Sequence, residues 1–308
     1  MKYNSLFSHL RSWISLHLLT ILVASCGPDP FPEELVSFEA AQGNPVFSGT
    51  DSSTWDSKIR ERGYILKEDS VYKMWYTGYS DNDPVMKIGL ALSNDGIGWN
   101  RHPDNPVIDS FWTEDVHVVV HDGVYYMVAE GLNDIAYMLS SSTGIDWTSL
   151  GPLDIRKSNG DPIEPGPRGT PTLWIEGDQW YLFYEREDIG IWLAVSSDRK
   201  TWINLQDTPV IKKGPESYDS EGVALNQVIK VNQRYYALYH GTPNKDWSTW
   251  NSNIAVSKDL VRWEKYSQNP IVRSDSLNPD LSSPILIHDG HCYRLYTMHE
   301  KVRVYFPK

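Results

Sequence analysis

Only two cysteines, Cys26 and Cys292, occur in the 308 residues, so no disulfide framework braces the fold and a packed core must hold it. No His/Cys/Asp cluster has the spacing of a zinc site, and no helical periodicity of useful length follows residue 40. Before Asp29 there is no acidic residue. Over the whole chain the deficit is of base: 28 Lys and Arg stand against 40 Asp and Glu, a formal charge of −12, which disfavours nucleic acid and anionic lipid surfaces as partners. Phenylalanine is scarce at seven, against thirteen Trp and eighteen Tyr. Amphipathic rings suit both half-buried strands and sugar stacking.

The first 26 residues read as an export signal. Lys2 and Arg11 form a basic n-region, and Trp13 to Val23 is an apolar run too short to cross a bilayer as a helix. The run ends in Val23-Ala24-Ser25-Cys26. This resembles a bacterial lipobox, in which the cysteine is lipidated and becomes the first mature residue. Gly27 follows where an Asp would retain the protein at the inner membrane, so the expected address is the outer membrane, on its periplasmic face or at the cell surface. Loss of Lys2 and Arg11 with the signal moves the formal charge from −12 to −14. Residues 27–40, with Pro28, Pro30 and Pro32, read as a tether, and residues 41–308 as one large all-β domain.

That domain repeats. Val71-Tyr72-Lys73-Met74-Trp75-Tyr76 begins a column of aromatic-rich runs that recurs from Val124, Gln179, Arg234 and His291, at intervals of 53 to 57 residues. Turns such as Asp122-Gly123 and Asp289-Gly290 precede these runs, as in the second arm of a hairpin. A second column sets Ser93-Asn94-Asp95-Gly96 before Trp99, Ser141-Ser142-Thr143-Gly144 before Trp147, Ser196-Ser197-Asp198 before Trp202 and Ser257-Lys258-Asp259 before Trp263. Asp95, Asp198 and Asp259 are therefore turn formers. A third column is Asn44-Pro45, Asn105-Pro106, Gly151-Pro152, Thr208-Pro209 and Asn269-Pro270, where proline marks an outer strand. Its first copy comes before the first full repeat and no copy follows the last, so the N-terminal strand near Val46 is expected to close a ring. Five units of four antiparallel strands predict an all-β, five-bladed β-propeller.

In a propeller the innermost strands converge on a central channel, so the chemistry should sit where each of them begins. Counting 10 to 17 residues forward from each proline motif reaches Asp56, Asp115, Arg168, Glu221 and Ser283. The opposite strand ends carry Thr77, Glu130, Glu185, His240 and Thr297. Glycoside cleavage needs one group to protonate the leaving oxygen and a second carboxylate to activate water or attack carbon, about 5–5.5 Å apart for retention and about 6.5–9.5 Å for inversion. Rigid blades suit that separation. Arg60, Glu114, His117, Glu130, Arg168, Thr170, Glu185, His240, Ser283 and His299 are the candidate substrate ligands. Trp55, Trp112, Trp247 and Trp250 break the repeat in loops and are candidates for sugar platforms. No cofactor is expected, although a calcium or water held in the channel by His240 is left open.

The repeat, the Ser-x-Asp turns and the Asn-Pro-Val strands resemble the five-bladed propeller glycosidases, the superfamily of glycoside hydrolase families 43, 32, 117 and 130. Likeness to family 43 implies Asp56 as general base, Glu221 as general acid and a third carboxylate tuning the acid. That carboxylate usually lies on the third blade, where this chain has Arg168-Gly169-Thr170, which leaves Asp115 for the role. Glu114-Asp115 and Tyr239-His240-Gly241 are more similar to the family 130 mannoside phosphorylases, in which a second-blade Asp protonates the glycosidic oxygen through a sugar hydroxyl, although Val116 stands where those enzymes have proline. The leading expectation is an inverting hydrolase of a plant or algal carbohydrate, exo-acting if loops such as 154–167 and 242–251 wall the pocket, and a monomer. The alternatives are an inorganic-phosphate-dependent glycoside phosphorylase, marked by release of sugar 1-phosphate, and a non-catalytic glycan-binding lipoprotein, marked by binding without turnover.

Overall fold

Strand formation follows the pattern of the sequence. Runs such as Val71–Tyr79, Gln179–Glu185 and Arg234–Thr242 are rich in Tyr, Trp and Val, residues that fit a pleated, buried surface. The structure is a computed structural model that describes residues 30–51, 53–163 and 169–308. Cys26 and Arg168 lie outside the described residues. Residues Phe31–Lys308 form one compact unit in which the described residues make five small sheets. The order is meander-like: in the second blade Thr148–Pro152, Ile135–Ser141, Val124–Gly131 and Glu114–His121 lie side by side, and in the fourth Gly222–Val231, Arg234–Thr242, Asn251–Ser257 and Trp263–Lys265. The protein is a five-bladed β-propeller with blades of four or more strands.

Ring closure uses the N-terminus. Phe38–Ala40 pairs antiparallel with the last strand, Phe38 opposite Pro307 and Ala40 opposite Tyr305. Phe47–Ser48 also pairs with that strand farther along, and the Val46 N–H donates to the Val302 carbonyl at 2.8 Å. The closing strand is thus a few residues earlier than Val46, with the Val46 segment extending the same edge.

The repeated motifs are backbone devices. In each Asn-Pro motif the asparagine amide clamps one residue of the blade's third strand at both backbone groups. Asn44 pairs with Val304 at 2.7 and 2.9 Å, Asn105 with Leu90 at 2.9 and 2.8 Å and Asn269 with Ile254 at 2.9 and 3.0 Å. Asp95, Asp198 and Asp259 each accept two backbone N–H groups of their own turn. Neighbouring blades lock through aromatics. Trp75 of the first blade donates to the Gly144 carbonyl of the second at 2.8 Å, and Tyr296 of the fifth donates to Gly96 of the first at 3.1 Å. Gly144 has φ +78, and a Cβ there would lie 2.9 Å from the Trp75 ring, so this turn needs glycine on both counts. Trp147 meets Trp75 edge to face, and Trp263 meets Phe183, which accounts for these two of the recurring tryptophans as inter-blade packing.

Candidate active site

Where the inner strands begin, the backbone bends. Arg62, Asp115, Thr170 and Ser283 all have left-handed φ, between 47° and 55°, and the second blade slips register between Glu114 and His117. Such bulges and left-handed residues re-aim side chains. Here they open a cavity of about 310 Å³. The first blade supplies Arg60 and Glu61 to its lining, and the second supplies Asp115, Glu130 and Asp134. Thr170, Glu185, Glu187 and Asp188 come from the third blade and His240 from the fourth, with Trp247 and Trp250 from the loop beyond it. The lining therefore holds seven carboxyl groups and one guanidinium.

So many acids in one small space cannot all be ionised. Asp115 is 6% exposed, and burial, reinforced by the charges of Glu61 and Glu114, pushes its carboxyl well above the usual range despite the opposing Arg62. Its Oδ1 has no hydrogen-bond partner among the described residues. Burial and the neighbouring Asp115 likewise push Glu130 well up, while its Oε2 accepts the Thr170 N–H at 3.0 Å. Glu185 is raised by burial and accepts the Asp188 N–H at 2.7 Å. Asp188, pushed up by burial and then by Glu185, reaches about 7. Glu61 is the counterexample. Burial would raise it, but the hydrogen bond and charge of His299 hold it down at about 2. The His299 Nδ1 sits 3.4 Å from Glu61 and 3.1 Å from Asp280. Burial keeps His240 neutral, down at about 3, with its Nδ1 2.9 Å from Asn226 Oδ1.

Of the residues expected from the sequence, the structure brings Arg60, Asp115, Glu130, Thr170, Glu185 and His240 to one cavity. Glu114 stands behind it, ion-paired to Arg60 and accepting the Trp112 indole N–H at 2.6 Å. His117 is buried against the Tyr64 ring, centroids 4.1 Å apart, so burial pushes it down to about 3. It is a packed strand residue. Ser283 is fully buried beside Ser282, and His299 acts through Glu61.

Asp56 and Glu221 do not line the cavity. The Asp56 carboxylate is consumed by the first blade, accepting from Tyr76 at 2.8 Å, Arg101 at 2.7 Å and Thr50 at 3.0 Å. Asp219 repeats the arrangement in the fourth blade, accepting from Tyr239 at 3.1 Å and Lys265 at 2.5 Å. In both blades tyrosine follows aspartate by 20 residues, and a Cβ on the glycine two beyond it, Gly78 or Gly241, would strike that aspartate. Asp56 and Asp219 thus occupy one equivalent bracing position in the two blades. Glu221 is bonded through its backbone, its N–H to Thr242 at 3.0 Å and its carbonyl to Lys213 at 3.1 Å. The sequence reading missed Glu61, Asp134, Asp188 and the buried Arg62. The repeated 20-residue Asp-to-Tyr spacing was the signal that would have marked Asp56 and Asp219 as equivalent.

No family model matches the chain. A 1,2-beta-oligomannan phosphorylase of Thermoanaerobacter sp. (strain X514) is 26% identical over 232 residues, 69% of this chain and 74% of that protein. Among solved structures, a glycosyl hydrolase from Bacteroides ovatus superposes with a TM-score of 0.69 at 17% identity, covering 89% of this chain and 95% of that one. A structure reported with the finding that the GH130 family of mannoside phosphorylases contains glycoside hydrolases that target beta-1,2 mannosidic linkages in Candida mannan gives 0.68 at 18%, covering 89% and 95%. The chain has the fold of the five-bladed propeller glycosidases. Among the described residues no group of three or more His, Cys, Asp or Glu is arranged to hold a metal ion.

Proposed function

We propose that this protein is a glycoside hydrolase, anchored by lipid at Cys26 to the outer membrane, that removes sugar units from the ends of oligosaccharides. The observation that carries the reading is Asp115: a buried carboxyl whose pKa burial raises despite Arg62 at 3.8 Å, with one oxygen unpartnered among the described residues, in a carboxylate-lined cavity. Asp115 gives its proton to the glycosidic oxygen, directly or through a sugar hydroxyl, as the bond from that oxygen to the anomeric carbon breaks. Asp188, raised to about 7, takes a proton from the water that adds to that carbon. The products are a reducing sugar and an alcohol; Asp188 releases its proton to solvent and Asp115 regains one from it. The volume, about 310 Å³, lies at the small end of ligand sites and suits a chain end rather than a passing chain.

Phosphorolysis is the second reading, motivated by the 1,2-beta-oligomannan phosphorylase relative. Seven carboxyl groups against one guanidinium in the lining favour water over a phosphate dianion as the acceptor. β-1,2-linked manno-oligosaccharides head the substrates to be assayed, since relatives' names concern them.

In the test, the full chain is incubated with β-1,2-mannobiose and longer homologues, with and without phosphate. Free mannose in both conditions supports hydrolysis, and mannose 1-phosphate only with phosphate would reverse the choice. Asp115→Asn should lower kcat by about 10²–10⁴ on oligosaccharides. The loss should be far smaller on a nitrophenyl glycoside, whose leaving group needs no proton. Equal losses on both would remove Asp115 from the role of acid.

A further inference from the structure

Trp247 is an anomaly that neither the fold nor the acid pair requires. It is 49% exposed, although a tryptophan left in water forgoes a large burial gain. Its backbone has φ +56, a conformation that a bulky residue adopts only when its surroundings hold it there. Those surroundings are visible. The Trp247 N–H donates to Asn244 at 3.1 Å. The Trp247 ring meets Trp250 edge to face, centroids 5.9 Å apart, and Trp250 meets His240 at 4.9 Å and 86°. Three rings thus run from the rim to the floor of the cavity that Trp247, Trp250 and His240 all line.

We propose that Trp247 is a sugar-stacking platform that holds the pyranose on the leaving-group side of the scissile bond. A pyranose offers the two surfaces this rim lacks partners for. Its hydroxyls donate to a lining carboxylate such as Glu187, and its axial C–H face lies against an indole face. A protonated acid deep in the cavity and an aromatic at its edge set the order of subsites, the terminal sugar inside and the next sugar on Trp247. This rests on the hydrolase reading for the identity of the bond but not for the stacking itself.

The experiment measures sugar binding calorimetrically to the full chain carrying Asp115→Asn, with β-1,2-mannobiose, β-1,4-mannobiose, cellobiose and xylobiose, alone and combined with Trp247→Ala or Trp247→Phe. Trp247→Ala should weaken the tightest-bound disaccharide about tenfold, and Trp247→Phe should restore most of the loss, whereas a merely structural role would give no rescue. In the parent, binding should also shift the tryptophan emission to shorter wavelength, and in Trp247→Phe that shift should vanish, a readout that survives if the alanine variant fails to fold. A Kd within twofold of the parent for Trp247→Ala, or an unchanged emission shift in Trp247→Phe, overturns the platform. Failure of the parent to bind any of the four disaccharides overturns it as well. Binding that depends on Trp247 in a wild-type chain that turns nothing over leaves the platform standing and removes the hydrolase.

Discussion

Single residues in this cavity differ less in kind than in the company they keep. Asp115 and Asp188 carry the same side chain, yet Asp115 is raised by burial with Arg62 opposing and the charges of Glu61 and Glu114 adding to it, whereas Asp188 is raised by burial and Glu185 to about 7. The proposed roles of donor and acceptor rest on that difference in surroundings. A base must be ionised to work, so kcat/KM should rise with pH through an apparent pKa near 7 and fall again at higher pH as Asp115 loses its proton. Because the two belong to one cluster of interacting acids, these are values of the cluster. Asp188→Asn should lower kcat by about 10²-fold or more and abolish the rising limb in a pH-rate profile. A rising limb left in place would return the role of base to another lining carboxylate.

Structural elements show why some of the site was legible in the sequence and some was not. The Asn-Pro clamps and Ser-x-Asp turns are local: asparagine must bond a backbone pair and aspartate must cap its own turn, so they recur at readable spacing. The starts of the inner strands are not local. In the first blade four residues, 60–63, separate Ile59 from Tyr64, whereas in the fourth only 224–226 separate Val223 from Gln227, so a count carried forward from the prolines drifts. It reached Asp115 and Thr170's neighbourhood but stopped at Asp56, a bracing residue. The brace itself is testable. Asp56 is held below the usual carboxylate range, burial being outweighed by Arg101, Tyr76 and Thr50. Asp56→Ala takes the carboxylate from Arg101, which keeps the Ser48 carbonyl at 2.6 Å, and because that side chain keeps 32% of its surface exposed, the cost should be on the order of 2–3 kcal/mol, less than for a fully buried pair. That corresponds to a Tm lower by about 5–10 °C. Asp219→Ala should do the same, and both variants should keep kcat within about twofold well below their melting temperatures. A large loss of kcat in Asp56→Ala alone would give Asp56 a direct part in the chemistry.

At the scale of the whole molecule, a ring of blades is only as strong as its closure, and here closure and site share residues. Glu61 belongs to the first blade and His299 to the fifth, and the Arg62 N–H donates across the same junction to the Met298 carbonyl at 3.1 Å. His299 faces Glu61, Asp280 and the adjacent Glu300, and although burial alone would lower its pKa, these charges raise it to about 9. A histidine raised in the folded state stabilises that state fully below its unfolded pKa, about 6.5. The contribution is then lost as pH climbs through 9. Glu61, depressed to about 2, contributes above its ordinary range near 4.5 and loses the contribution as pH falls. Asp280, raised to about 6 chiefly by burial, withdraws its charge from His299 below that pH. The clasp should therefore be strongest near pH 6 to 6.5. His299→Gln should lower the Tm by on the order of 5 °C there and by almost nothing at pH 9.5, as read from thermal unfolding of both chains across the series. A difference that stays constant from pH 6 to 9.5 would show that His299 serves by packing alone, and the junction of first and last blades would then owe its strength to the backbone pairing of Phe38–Ala40 rather than to charge.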